Sequence, residues 1–181
     1  MQTRTNEIEG LIVIEPRVFE DPRGYFFESY NEEAYLKAGI TSRFVQDNQS
    51  SSAYGVVRGL HMQKAPHAQA KLVRVLEGAI YDVAVDVRPG SPTFGRWYGL
   101  EISAENRLQL NIPHGFCHGF SVISEQATVL YKCDAFYHPG SETGIIYNDP
   151  QLAIDWKIPA DRIIVSDKDA NLPPLNDLKT D

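Results

Sequence analysis

No long apolar run occurs in this 181-residue chain: the longest, LIVI at 11–14, is four residues. A membrane-spanning helix needs about 20, and a secretion signal needs a longer apolar core than this. With the polar stretch MQTRTNEIEG at 1–10, the expected location is the cytoplasm, with no membrane partner. Cysteine is scarce. Cys117 and Cys133 stand 16 apart without a CxxC pairing, which is neither a disulfide framework nor a zinc pattern. Positive charge is also short. Lys and Arg number 17 against 24 Asp and Glu, a net charge of −7, so a nucleic-acid partner is not expected. A few well-placed cations can still hold one phosphate group. Neither GxGxxG after a strand nor GxxxxGK[ST] is present, which disfavours a Rossmann or P-loop mechanism. Repeats, low-complexity tracts and linkers are missing too, so one domain over 1–181 is expected.

What is present reads as strands. Hydrophobic content of 43% and charged content of 23% suit a globular chain with a real core. Residues 72–76, a turn at Glu77-Gly78 and residues 79–87 form a hairpin pattern. In its second arm Tyr81, Val83, Val85 and Val87 face one way, and Asp82, Ala84 and Asp86 the other. Residues 108–112 alternate, as do 128–135, where Val129, Tyr131, Cys133 and Ala135 share a face; 11–14, 25–28, 44–47 and 144–147 are shorter candidates. Turns at 21–24, 88–92, 113–115 and 138–140 separate them. One helix is predicted, capped by Asn31 or Ser29, with Glu32 and Glu33 in its first turn and Gly39 at its end. The fold class is all-β, a barrel or sandwich with few helices. The Pro-containing stretch 171–181 is expected as a loose tail or a surface strap.

Five histidines are candidates for chemistry: His61, His67, His114, His118 and His138. A metal-dependent barrel would offer His-x-His on a strand, but here the stretch is His61-Met62-Gln63, so no metal site is expected. An imidazole oriented by a carboxylate is a general base near neutral pH; the plainer alternative is a core or rim histidine. Tyr131 points inward by its strand phase, either as a core phenol tied to a carbonyl or as a proton donor into a cavity. Lys71, Lys168 and Arg23 each read singly as surface charges. The stretch VVRGLHMQ at 56–63 poses a puzzle, because Arg58 and His61 are three apart and a regular strand sends them to opposite faces.

Seven stretches in order resemble the dTDP-4-dehydrorhamnose 3,5-epimerase family: DPRGYFFESYN (21–31), FVQDNQSSS (44–52), GVVRGLHMQ (55–63), AQAKLVRVLEGAIYDVAVDVR (68–88), IPHGFCHGFSVIS (112–124), YKCDAFYHPGSETGIIYNDP (131–150) and VSDKD (165–169). The resemblance implies a cupin-like jelly-roll β-barrel. It implies a cofactor-free homodimer that epimerises C3 and C5 of a dTDP-4-keto-6-deoxyhexose on the way to dTDP-L-rhamnose. By position, His61 resembles the general base, Asp169 its orienting carboxylate, Tyr131 the proton donor and Lys71 the cation at the C4 oxygen. Arg58 and His118 resemble contacts to the diphosphate or sugar. Gln46, Asn48, Tyr137, Glu142 and Lys168 resemble further substrate contacts. Arg23, Phe26 and Glu28 resemble an arm, within about residues 1–30, that enters the partner's site. Met62, Gln49 and Cys117 stand where the family more often has an aromatic, a histidine and an alanine. They bear on site shape, and so on inversion of one centre or two. A metal-dependent cupin oxidase built on His61, His67 and His118, and a binding module without turnover, are the competing readings. If Arg58 and His61 serve one site, Gly59 must carry irregular backbone such as a bulge, or Arg58 must reach round the strand edge.

Overall fold

Alternation along the chain resolves into two antiparallel sheets. The computed structural model describes residues 1–179, so the last two residues of the expected tail lie outside it. One sheet has six strands in the order β1 (Gln2–Thr5), β2 (Ile12–Glu15), β10 (Gln109–Ile112), β7 (Lys71–Glu77), β12 (Gln126–Cys133) and β5 (Gln46–Ala53). The other has five: β13 (Glu142–Gly144), β6 (Val57–Gln63), β11 (Phe116–Val122), β8 (Ala79–Asp86) and β9 (Trp97–Ser103). A two-stranded hairpin, β3 (Phe19–Asp21) with β4 (Gly24–Phe26), belongs to neither.

The core sits between the two sheets. Val13, Val73, Val75, Leu110, Ile112 and Val129 of the larger sheet meet Ile80, Ala84, Ile102, Phe116, Phe120 and Val122 of the smaller. The opposite row of β8, Val83 and Val85, packs outward with Val57, Leu60 and Cys117 under Ile145, Leu152, Trp156 and Leu175. The central strands β8 and β11 of the smaller sheet are therefore buried on both faces. Burial of each such aliphatic side chain contributes roughly 1.5–3 kcal/mol. The C-terminal stretch is a strap and not a loose tail: the Leu175 N–H donates to Asp149 Oδ2 at 2.8 Å and the Ile146 N–H to the Pro173 carbonyl at 2.9 Å. Helix α1 (Glu32–Lys37) covers part of the larger sheet's outer face. Asn31 is its cap, taking the Ala34 N–H at 3.1 Å, and Gly39 at φ +88° follows its end. Its Tyr35 packs with Ile14, Ile40 and Leu72.

The all-β expectation holds, but the hairpin expected over 72–87 does not form. Strand β7 pairs with β10 and β12 in the larger sheet and β8 with β9 and β11 in the smaller, so the turn at Glu77-Gly78 crosses between sheets. Several strand boundaries differ as well. The strand expected at 44–47 is β5, which begins at Gln46 and runs on through Ser50, Ser51 and Ser52. Its inward residues are polar because they face a cavity and not the core. The strand expected at 144–147 is β13, two residues earlier, and that at 25–28 is β4. Strand β11 was not foreseen because all seven of its residues are buried, which erases the alternation that a half-buried strand displays.

Candidate active site

At one end of the barrel the inward rows turn from apolar to polar. Along β7 the row reads Val75, Val73, Lys71, and along β12 it reads Val129, Tyr131, Cys133. Two adjoining lobes open there, of about 460 and 350 Å³, sharing His61, Lys71, Tyr131, Tyr137 and Glu142 as walls.

The puzzle of Arg58 and His61 is solved by a bulge. His61 pairs with His118 and Arg58 with Phe120, so three steps on β6 match two on β11. The extra residue brings both side chains to the second lobe. Gly59 has φ +116°, and a Cβ there would lie 2.7 Å from both Gly119 Cα and the His118 carbonyl. Only glycine fits this approach without displacing β11.

The bulge also serves a carboxylate. Asp169 lies in the short helix α2 (Asp167–Ala170), whose cap Ser166 accepts the Asp169 N–H at 3.1 Å. Its Oδ1 is 2.7 Å from His61 Nε2, and its Oδ2 accepts the Gly59 N–H at 3.0 Å. Burial pushes the Asp169 carboxyl up, but the hydrogen bonds from His61 and Gly59 outweigh it and hold the group below the usual carboxylate range. An ionised carboxylate on Nε2 fixes the ring and stabilises its imidazolium, leaving Nδ1 as the nitrogen that can take a proton.

Tyr131 projects from the opposite sheet. Burial first, then Cys133 and Glu142, raise its phenol above the ordinary value, against a lowering by Arg58. It therefore stays protonated as a donor. Lys71 Nζ lies 5.9 Å from the Tyr131 ring centroid. Burial lowers the Lys71 pKa, opposed by Cys133, Cys117, Asp82 and Glu142. Among the described residues neither Lys71 nor Arg58 has a carboxylate at ion-pair distance. Arg58 donates from Nε to Ser52 Oγ at 3.0 Å. Two unpaired cations in one cavity are suited to an anionic ligand and to negative charge that develops on it. His118 Nε2 sits 3.0 and 2.9 Å from the two carboxylate oxygens of buried Asp82. Tyr137 donates its hydroxyl to Glu142 Oε2, and Lys168 Nζ pairs with Glu142 Oε1, both at 2.7 Å. Burial raises the Glu142 carboxyl, but Lys168 and Tyr137 hold it below its ordinary value.

A family model described as dTDP-4-dehydrorhamnose 3,5-epimerase matches residues 5–177. This chain belongs to that family. A dTDP-4-dehydrorhamnose 3,5-epimerase from Pseudomonas aeruginosa is 55% identical over 163 residues, covering 90% of this chain and 89% of the relative. The crystal structure of the Elizabethkingia anophelis dTDP-4-dehydrorhamnose 3,5-epimerase is 54% identical with a TM-score of 0.93, over 98% of this chain and 97% of that one. A Legionella pneumophila dTDP-6-deoxy-D-glucose-3,5-epimerase, solved with dTDP-4-keto-L-rhamnose, is 50% identical with a TM-score of 0.94, over 98% and 94% of the two chains.

For a member of this epimerase family, the structure gathers most of the residues that the motifs single out. His61, Lys71, Tyr131, Tyr137, Glu142, Gln46 and Asn48 line one or both lobes, and Arg58, His118, Lys168 and Asp169 line the second. Gln46 Nε2 donates to Asn48 Oδ1 at 3.0 Å. Arg23, Phe26 and Glu28 are not in this cavity. Arg23 and Phe26 line a separate surface cleft along the hairpin, Arg23 is paired with Asp21, and Glu28 accepts from Asn31 Nδ2 at 3.1 Å. The three histidines of the oxidase reading do not converge. His67 stacks on His138 with centroids 3.9 Å apart, His118 is held by Asp82, and among the described residues no group of three or more His, Cys, Asp or Glu is placed to hold a metal ion. Two contributors were missed: Asp82 beneath His118, and Gln63 beside His61. Asp82 was hidden by its own row: with Ala84 and Asp86 it reads as the polar face of β8, yet that row, which includes Ile80, turns inward and Val83 and Val85 pack outward.

Proposed function

We propose that this protein inverts C3 and C5 of a 4-keto-6-deoxyhexose carried on thymidine diphosphate, using side chains alone for the proton transfers. Both carbons flank the C4 ketone, so removing either proton gives an enolate. His61, oriented by Asp169, takes the proton from one face of the sugar. Tyr131, on the facing sheet, returns one to the other face. The Lys71 ammonium stabilises the enolate oxygen. Arg58 and His118 hold the diphosphate side, with Gln46, Asn48, Tyr137, Glu142 and Lys168 as polar contacts. The observation that carries this reading is the His61–Asp169 pair on one sheet opposite Tyr131 and an unpaired Lys71 on the other. Incubation with dTDP-4-dehydro-6-deoxy-D-glucose in heavy water introduces deuterium at both C3 and C5. Exchange at one carbon alone makes the protein a single-centre epimerase, and exchange at neither refutes the reading.

The working unit is a homodimer of single-domain chains acting in the cytoplasm. The hairpin bearing Arg23 and Phe26 is exposed, with Phe19, Tyr25 and Phe26 all presented to solvent. An exposed aromatic hairpin outside its own cavity suits an arm that completes a neighbour's site, with Glu28 at its base. Light scattering is expected to give twice the chain mass; a fully active monomer contradicts the arm's role.

A further inference from the structure

The segment after β12 carries Tyr137 into the cavity wall, yet residues 134–138 have no regular structure. Glutamine amides hold its backbone in place of a strand partner. Gln69 Nε2 donates to the Ala135 carbonyl at 2.7 Å, and Gln46 Oε1 accepts the Tyr137 N–H at 3.0 Å. Gln63 does the most. Its Nε2 donates to the His67 carbonyl at 2.6 Å and the Phe136 carbonyl at 3.3 Å, while its Oε1 accepts the His138 N–H at 2.7 Å. Gln63 thus grips the chain on both sides of Tyr137. It is only 4% exposed. It is also the register partner of Glu142, whose carboxylate takes the Tyr137 hydroxyl. One side chain therefore fixes the backbone that carries Tyr137, and its own backbone neighbours the residue that Tyr137 binds.

We infer that Gln63 is a positioning residue, presenting Tyr137 and its Glu142 and Lys168 partners to the nucleotide-sugar; this rests on the function proposed above. Only an amide fits the role. A carboxylate accepts from His138 N–H but cannot donate to two carbonyls, and a thioether donates nothing and accepts only weakly. His61 shares β6 with Gln63 but its ring is oriented by Asp169 from α2, and Tyr131 and Lys71 project from β12 and β7, so the Gln63 side chain touches none of the groups that move protons or stabilise charge.

The test compares Gln63→Glu and Gln63→Met with the wild-type enzyme. Both variants should raise KM about tenfold while kcat stays within about twofold, the split expected when substrate placement is lost and chemistry is kept. Gln63→Glu should also regain affinity, relative to wild type at the same pH, as acidification protonates the new carboxyl and restores a donor. Gln63→Met should show no such recovery. In a Tyr137→Ala background, Gln63→Met should add less than about twofold. A KM within twofold of wild type in the folded variants overturns the inference, as does a fall in kcat alone or full additivity with Tyr137→Ala. If Gln63→Met does not fold, the pH dependence of Gln63→Glu decides. A wild-type enzyme without turnover refutes the proposed function instead; calorimetric dTDP affinity then carries this test, and equal affinity of wild type and variants overturns it.

Discussion

Two histidine–aspartate pairs stand side by side on neighbouring strands, His61 with Asp169 and His118 with Asp82, and the two rings are direct register partners. Their surroundings differ. The His61 side chain is 27% exposed, while that of His118 is 7%. Asp169 divides its oxygens between a ring nitrogen and a backbone N–H, whereas Asp82 turns both oxygens on one nitrogen of His118. A proton acceptor must meet its substrate and then release the proton, which the more open ring can do. The buried pair cannot exchange so readily, and it suits fixing a ligand contact from below. The same two residue types thus take different work from exposure and from what else holds the carboxylate.

The largest expected effect breaks that comparison directly. His61→Asn should lower deuterium exchange at both carbons by about 10³-fold, within the range for loss of a general base. His118→Asn should act mainly on KM and leave exchange at saturating substrate within about tenfold. Equal losses in kcat would make the two pairs equivalent. Replacing the carboxylates should separate them again: Asp169→Asn should reduce kcat about 10²-fold. Asp82→Asn should instead destabilise the fold by about 1–3 kcal/mol, as expected for a weakened buried hydrogen bond, measured by denaturant unfolding. The smallest effect is a pH dependence. The folded-state pKa of Asp169 is depressed, so its contribution to stability is fully present above the unfolded value of about 3.9 and is lost as pH falls through the folded value. The unfolding free energies of wild type and Asp169→Asn should therefore differ by a constant amount above about pH 5 and converge below about pH 4. Convergence near neutrality would assign the linkage to a different group.

Strands β7 and β8 were legible as strands from their alternation, but the hairpin expected between them was not, because nothing in the local pattern says that the Glu77-Gly78 turn carries the chain from one sheet to the other. Strand β11, buried throughout, hid the same geometry. Tyr131 could be placed by strand phase, whereas Lys71 read as a surface charge, and the roles of both came from the family motifs. Asp169 is a harder case. It meets His61 across 108 positions, and nothing in the local pattern of SDKD says which strand it will reach. The Gln63 grip was invisible for another reason: its partners are backbone carbonyls and an N–H, which every residue supplies and no motif records. Arg23, Phe26 and Glu28 show the reverse limit, since a motif placed them in a site that this single chain does not build around them.

The extra residue in β6 was not needed merely to bring Arg58 and His61 together. A regular strand with the two residues two apart, instead of three, would have put them on one side. What the longer route adds is a main-chain amide turned toward Asp169. A side-chain donor in that place could be lost to many single substitutions. This donor belongs to the polymer itself, and only proline lacks it. One arm of the histidine's support is therefore a main-chain group, and what holds it in place is the absence of a side chain at Gly59, where β11 approaches too closely for a Cβ.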